Sequence, residues 1–223
     1  MRYRILFAIA LALAILALGG LWTLSLLPRA KPEAPLAVAA GSPEGLRRSL
    51  SLGEDVNGKD TRGFTALDWA ARAGQTEAIT ELVRAGADPD FRDSGPNGWT
   101  PLLHAVHKNQ LGSVRALITA GAGPNERGEN GLTPLMLAAA QGEPEIVEEL
   151  LASGANPRLY GPLRWTALEQ AVTGGNPRVV DALMRKDPAL SLGHGPRSWA
   201  LRTLARLAGH GEALNRIDRR AGR

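Results

Sequence analysis

Two short stretches and one pair of glutamates carry the side chains from which a catalytic or metal site could be built. Residues 53–60, GEDVNGKD, have the glycine and lysine spacing of a phosphate-binding P-loop. That loop needs a strand before it, a helix after it and a Ser or Thr that binds magnesium. Asp60 occupies the Ser/Thr position. A boundary between structural units is therefore the favoured interpretation, and nucleotide binding is not expected.

His104 and His107 are three residues apart and would share one face of a helix, which is a possible start of a metal site. No carboxylate or third histidine falls in phase with them, so a buried or hydrogen-bonded structural histidine is favoured. Glu148 and Glu149 lie on the polar side of an amphipathic pattern and are most simply solvated charges. The chain has no cysteine, which excludes a thiolate ligand and a cysteine nucleophile. The sequence predicts no enzyme, no cofactor and no metal site.

An apolar segment at residues 5–27 raises the question of membrane attachment. Its 23 residues carry no charge and would form a helix of roughly 35 Å, enough to cross a hydrocarbon core of about 30 Å. A cleavable signal peptide has a shorter apolar stretch of about 7–15 residues. We therefore predict a transmembrane signal anchor, preceded by a cytoplasmic tail at residues 1–4. Small residues such as Ala17 and Gly19 leave a cleaved signal peptide open as the alternative.

Basic residues flank this segment almost equally, with Arg2 and Arg4 before it and Arg29 and Lys31 after it. The positive-inside rule is therefore nearly balanced. We expect a bacterial inner-membrane protein with its N-terminus in the cytoplasm and its body in the periplasm. A cytoplasmic body and a soluble periplasmic protein are the alternatives. Residues 28–43 contain four prolines and form an Ala/Pro-rich linker that can reach roughly 50 Å.

A short pattern recurs four times in the rest of the chain. The stretch TALDWAARAG begins at Thr65, and similar stretches begin at Thr100, Thr133 and Thr166. The spacing of these threonines is nearly constant, and the glycine or asparagine that ends each stretch keeps the same spacing. A fixed period of about 33 residues indicates stacked repeat units and not one globular core.

Each unit is predicted to contain two short helices. Thr133 and Pro134 supply an N-cap and a first helical residue whose missing N–H costs nothing. Gly142 then ends this helix in a left-handed conformation. The second helix carries large aliphatic residues on one face, whereas Ala138 and Ala139 inside the first helix let neighbouring helices approach closely. One unit cannot bury this surface alone, so the units must stack.

The pattern D-x-x-G-x-T-P-L-x-x-A-A-x-x-G, followed by a second helix and G-A-D/N-P, resembles the ankyrin repeat. The resemblance implies an all-α ankyrin-repeat solenoid of helix-turn-helix units with β-hairpin loops, here preceded by one transmembrane helix. The family has a histidine after Thr-Pro-Leu, and this chain instead has Asp68, Leu103, Met136 and Glu169. The predicted boundaries are repeats at 60–92, 93–127, 128–160 and 161–192, caps at 44–59 and 193–210 within a domain at 44–210, and a basic tail at 211–223. Within the C-terminal cap, residues 198–209 are interpreted as a worn fifth unit or a C-cap, because Gly209 lies 34 residues after Gly175.

Charge is unevenly distributed along the chain. The net charge is +4, of which residues 1–43 carry +3 and residues 195–223 carry +5, which leaves −4 for the repeat body. The C-terminal arginines could contact phosphate, anionic lipid or an acidic partner, and a solvated cap and tail is the simpler interpretation. We expect no nucleic-acid partner, because an acidic body repels it, and no small-molecule substrate.

The resemblance implies a protein-binding module that recognises a folded protein partner on the concave side formed by hairpin tips and first helices. An inhibitor or chaperone-like cap of an envelope enzyme, exported with a cleaved signal peptide, would use the same surface and is the alternative.

The position before each repeated threonine holds a large apolar residue. Stacking at constant phase would place these four side chains in one line along the hairpin side, and three of the ten aromatic residues of the chain fall in it. We expect this line to anchor the partner, with a polar rim on the first helices; simple packing over the hairpins is the competing interpretation. The line is Phe64, Trp99, Leu132 and Trp165, and the rim is Arg72, His107, Lys108 and Gln141.

Overall fold

A computed structural model of the chain describes residues 42–192 and 196–221. The predicted tail at 1–4, the predicted anchor at 5–27 and nearly all of the linker at 28–43 lie outside the described residues. Within the two described ranges, none of the helices combines the length and the apolar character that a membrane span requires.

The described residues form a single helix followed by five consecutive helix pairs, with a short 3₁₀ turn at Pro162–Arg164. The two helices of a pair are joined by a turn, and the pairs are joined by longer loops that contain the predicted hairpins. The helices are α1 (Pro43–Ser51), α2 (Ala66–Ala73), α3 (Thr76–Arg84), α4 (Pro101–His107), α5 (Leu111–Thr119), α6 (Pro134–Gln141), α7 (Pro144–Ala152), α8 (Ala167–Gly174), α9 (Pro177–Lys186), α10 (Pro196–Leu207) and α11 (Gly211–Ala221).

Local signals set the helix boundaries where the sequence predicts them. Thr133 is the N-cap of α6, and its hydroxyl accepts a hydrogen bond from the backbone N–H of Met136 at 3.3 Å. Gly142 ends that helix in the left-handed region at φ 74°. Asn109 adopts the same conformation at φ 53° after α4, as expected for the residue that best replaces glycine. The predicted capping pattern is confirmed.

The helices pack in two rows, which confirms the predicted all-α stack. The first helices α2, α4, α6, α8 and α10 contact one another in that order, and the single helix α1 begins a second row that continues through the second helices. Fully buried alanines fill the first row, whereas Leu, Ile and Val fill the second. The alanines at this contact include Ala70, Ala71, Ala105, Ala138, Ala139 and Ala171.

Two predictions are corrected at the ends of the units. The predicted basic tail at 211–223 contains α11, which packs on α9 and buries Ala213, Leu214 and Ile217. Together with α10, it makes a fifth helix pair, which agrees with the interpretation of residues 198–209 as a fifth unit. The high charge of this segment concealed an apolar spacing of i, i+1 and i+4, which is typical of one helix face.

The β-hairpin loops are also corrected, because the structure assigns no β-strand within residues 42–192 and 196–221. Each loop is a hairpin-like turn closed by one backbone hydrogen bond, such as Asp93 N–H to Trp99 O at 2.9 Å. Arms this short cannot build a ladder. Neighbouring turns are still linked, since the Glu129 N–H donates to Asn97 O at 2.6 Å.

The contact between α6 and α8 is tight enough to test. A methyl group on Gly174 would lie 2.6 Å from the carbonyl oxygen of Ala139. Alanine normally stabilises a helix by about 1 kcal/mol relative to glycine, but here it would force the two helices apart. We expect Gly174→Ala to destabilise residues 44–223 by about 1–3 kcal/mol in urea unfolding. Gly211→Ala, which meets no atom within 4 Å, is the control, and equal stability of the two variants would contradict this packing.

Candidate functional site

The hairpin-like turns and the first helices form one surface, here called the hairpin face. All four residues of the predicted line lie on it and are half-buried. Leu132 and Trp165 pack against the buried core. Phe64 and Trp99 instead pack against aromatic rings of the first helices. The line therefore has a packing role along its whole length, and its outer edges remain accessible.

Phe64 belongs to a cluster of rings and guanidinium groups at the first repeat. Its ring meets the Trp69 ring edge-on, with 5.5 Å between the centroids. The Arg62 guanidinium lies 4.3 Å from the Trp69 ring centroid and the Arg72 guanidinium 5.2 Å from that of Phe64. Such cation–π contacts hold long side chains in place and keep the charge at the surface. The sequence analysis missed Arg62 and Trp69.

Trp99 continues this cluster into the second repeat. Its ring is edge-on to His104 at 5.3 Å and to His107 at 5.1 Å between centroids. The indole Nε1 is enclosed and makes no hydrogen bond within the described residues. An unpaired buried donor costs stability, which the contacts of the Trp99 ring with His104 and His107 must offset.

Two aspartates hold the turns against these rings. Asp60 accepts the indole N–H of Trp69 at 3.0 Å, and Asp93 lies 2.7 Å from His104 Nε2. The other oxygen of each carboxylate accepts backbone N–H groups inside its own turn. Each aspartate therefore fixes both its turn and a ring on the next helix. Asp60 begins the D-x-x-G pattern and Asp93 begins its longer form, DSGPNG. The repeat itself was therefore the available signal, but no role was predicted for either residue.

The histidine predictions are confirmed for His104, which is buried and hydrogen-bonded. The Arg72 guanidinium lies 3.2 Å from His104 Nδ1. Because a guanidinium can only donate, Nδ1 is the acceptor of this hydrogen bond. The ring proton is therefore on Nε2, and the Nε2–H group donates a hydrogen bond to Asp93. Burial lowers the pKa of His104 to about 4 against the opposing effect of Asp93. His104 is thus a neutral structural histidine. The described residues hold no group of three or more potential metal-ligating side chains.

Asp68 is the second buried ionisable group of this surface. It accepts the backbone N–H and the hydroxyl of Thr65 at 2.8 and 2.9 Å, which closes a capping box at the start of α2. Its other oxygen is buried without a hydrogen bond in the described structure. Burial raises the pKa of Asp68 to about 7, because it disfavours the charged carboxylate more than the Thr65 hydrogen bonds favour it.

The predicted rim residues lie at the C-terminal ends of the first helices. Arg72 is half-buried beside His104, whereas His107, Lys108 and Gln141 are exposed. Gln141 donates to the backbone oxygen of His107 at 3.0 Å and so joins the second and third units. The structure therefore brings the four residues to one edge of the hairpin face. Lys108 and His107 are the members whose side chains make no hydrogen bond or ion pair within the described part of the chain, and the His107 ring packs against Trp99.

The turn of the fourth repeat differs from the other three. Arg164 has a left-handed backbone, φ 57°, at the place where the earlier turns have glycine, and Leu163 beside it has φ 56°. Such a conformation costs about 1–2 kcal/mol for a residue with a side chain. Leu163 is 80% exposed and Tyr160 is 54% exposed, with the Arg164 guanidinium 5.3 Å from the Tyr160 ring centroid. The arginine at position 164, where the other turns have glycine, is the sequence signal for this turn, and no prediction was based on it.

The remaining sequence candidates have structural roles. Residues 53–60 form turns, and the Asn57 side chain accepts the Asp88 N–H at 3.1 Å across a unit boundary. Glu148 and Glu149 pair with arginines of neighbouring second helices at 2.6 and 2.7 Å. The grooves between second helices include two of about 350 and 390 Å³. They lie away from the hairpin face, lined by residues from the second helices.

Comparison with known proteins supports the repeat pattern. The family model for ankyrin repeats in three copies matches residues 35–128 and 110–191. The chain is 36% identical over 97 residues to an ankyrin repeat-containing protein of Treponema pallidum, which is 43% of this chain and 32% of that protein. It is 39% identical over 71 residues to the B-cell lymphoma 3 protein homolog of Mus musculus, which is 32% of this chain and 16% of that protein.

A third relative is the palmitoyltransferase Hip14 of Drosophila melanogaster, 35% identical over 82 residues, which is 37% of this chain and 13% of that protein. The matched region is thus at most about a third of each of these relatives. Ankyrin repeats generally mediate protein–protein interactions, and the similarity extends to that level and not to the activity of a whole relative.

Asp68 and His104 have opposite effects on the stability of the fold as the pH changes. Between pH about 4 and about 7 the folded state keeps a proton on Asp68 that the unfolded chain has released, so this contribution is lost as the pH rises. Between pH 6.5 and about 4, His104 is protonated in the unfolded chain but stays neutral in the folded state. The stability that His104 contributes is therefore lost as the pH falls.

We therefore expect the stability of residues 44–223 to be nearly constant over this range. Asp68→Asn removes the first effect, and its stability should rise by on the order of 2–3 kcal/mol from pH about 4 to about 7. His104→Gln should show the opposite slope of similar size. Urea unfolding at several pH values measures both, and the double variant is the control. Parallel pH profiles of the two single variants would show that the groups are not linked to folding in this way.

Proposed function

Since the chain belongs to the ankyrin-repeat family, we propose that it is a non-enzymatic protein-binding module whose hairpin face recognises a folded partner. The observation that carries the proposal is the row of half-buried aromatic rings on that face, with arginines stacked on them. Aromatic and arginine side chains that are already fixed lose little entropy on binding, and they dominate binding hot spots.

The chemistry of the face supports binding over catalysis. Its buried acid and base, Asp68 and His104, are both occupied by hydrogen bonds within the fold. Both are almost fully buried, at 0% and 2% exposed, whereas general acid–base catalysis requires a group within reach of the proton that it transfers. We infer that their role is to set the shape of the surface and not to transfer protons to a substrate.

Membrane tethering is a further part of the proposal. The apolar segment at 5–27 and the proline-containing linker at 28–43 support a body held close to a bilayer. Because the flanking charges are nearly balanced, the periplasmic side of an inner membrane is proposed from the usual orientation of a signal anchor, which has a short N-terminus in the cytoplasm. A tether of this kind raises the effective concentration of the module for partners in the same membrane. Two C-terminal fusions test this orientation, one to a phosphatase and one to a reporter that fluoresces in the cytoplasm. An inactive phosphatase fusion together with a fluorescent reporter fusion would contradict it.

The partner can be found by proximity labelling from the full chain in its native cell, followed by pull-down with residues 44–223. Lys108→Glu then tests the hairpin face, because Lys108 is exposed and its replacement leaves packing intact. We expect binding of the captured partner to weaken by about tenfold or more with an unchanged melting temperature. The matched control is Lys186→Glu, an exposed lysine at the end of α9. Equal binding by both variants would place the binding surface elsewhere.

Trp99→Ala and Trp165→Ala separate an anchoring role from packing. For an anchor, binding falls by about 2 kcal/mol or more while most of the stability remains. If binding is lost only in proportion to unfolding, the line is packing and the predicted site is mistaken.

A further inference from the structure

The hairpin face continues beyond the four predicted repeats. Leu201 and Ala205 of α10 are buried, and they lie one repeat period after Ala167 and Ala171 of α8, which are also buried. The left-handed Gly209 follows the left-handed glycine at the end of α8 by the same interval. The register of the repeat is therefore kept in the fifth helix pair.

This register places three large apolar side chains of α10 on the hairpin face. Trp199 lies one repeat period after Trp165 and is the fifth member of the predicted line. Leu204 and Leu207 take the positions of two polar residues of α8. Trp199 is 69% exposed, Leu204 62% and Leu207 80%. These three residues are here called the fifth-unit patch. The patch is far more accessible than the half-buried rings of the first two repeats.

The fifth-unit patch is not the surface of α10 that a neighbouring repeat unit would cover. At the positions equivalent to Leu168 and Val172, which are buried between neighbouring units, α10 has Arg202 and Arg206. Arg202 pairs with Asp218 of α11 at 2.6 Å. Charged residues here are what a terminal repeat needs to stay soluble without a further neighbour. The charged residues of α10 thus lie on the side that faces away from α8, while its exposed apolar residues are concentrated on the hairpin face.

The charges of the stack indicate the chemistry of the occupant. The carboxylates of the second helices are largely held in ion pairs with arginines, such as Glu81 with Arg47 and Glu149 with Arg115. On the hairpin face, Arg62 is already paired with Asp60 at 3.7 Å, whereas Arg72 and Arg164 are set against rings. The helix that carries the patch, α10, contains three arginines and no acidic residue. Two copies would therefore meet through like charges, whereas an acidic ligand would find complementary charge.

We infer that the fifth-unit patch binds an acidic segment of the protein partner that carries large apolar side chains. The apolar groups would cover Trp199, Leu204 and Leu207, and the carboxylates would lie towards the cations of the hairpin face. This inference rests on the proposed function and adds to it the chemistry of the partner and the end of the stack where the partner is anchored.

Cysteine-directed crosslinking tests this inference, since the chain has no cysteine of its own. Leu204→Cys and, separately, Lys108→Cys are introduced into the full chain and labelled with a photoactivatable thiol reagent in native membranes. We expect both to crosslink one protein, and the peptide attached to position 204 to be acidic and to contain Leu, Ile, Phe, Met or Trp. Crosslinks from position 204 to lipid, to a second copy or to a basic peptide overturn the inference and leave the proposed function standing.

Charge placed in the patch gives the second test. Leu204→Glu with Leu207→Glu should reduce capture of the crosslinked partner at least about tenfold, with an unchanged melting temperature, because the changed side chains are exposed. Leu52→Glu is the matched control, a 70% exposed leucine at the opposite end of the stack. Full capture by the double variant overturns the inference. Absence of any protein crosslink from both positions, 204 and 108, overturns the proposed function as well.

Discussion

The close approach of the first helices is the constraint on which the rest of this structure depends. Buried alanines and Gly174 leave almost no space between α6 and α8, so each helix is fixed at a short distance from the next. The turns that precede these helices are then carried at the same short spacing, and their backbones bond from one to the next. The line of large side chains on the turns therefore depends on the small residues between the first helices. A continuous row forms only where the backbones that carry it are evenly spaced.

Sequence reasoning reached the parts of the molecule that local rules decide. A threonine before a proline and a glycine at a fixed interval define each helix through capping chemistry, and Thr133 and Gly142 behave accordingly. Contacts between side chains that are distant in sequence were beyond its reach. The role of Asp93 depends on a histidine eleven residues later, and α11 was hidden by its own charges, because counting charge ignores which face of a helix carries it.

The hairpin face is divided into two kinds of surface. In the first two repeats the rings are braced by aspartates and arginines, which makes a rigid surface with accessible edges. In the fourth turn and in α10, leucine, tyrosine and tryptophan stand out into solvent. A rigid part gives selectivity by shape, and an exposed apolar part gives binding energy. The chain combines the two along one face, which neither the composition nor the number of repeats reveals.

The ion pairs between second helices have a consequence for how the stack responds to salt. Arg47, Arg115 and Arg178 each reach a glutamate of the neighbouring unit across solvent-exposed space. Such pairs are screened within a Debye length of about 8 Å at physiological ionic strength. The buried Asp93–His104 contact and the backbone bonds between turns are shielded from that screening. Rising ionic strength therefore weakens the electrostatic links between second helices first and leaves the contacts of the hairpin side unchanged, so that the two sides of the stack differ in their sensitivity to the electrolyte.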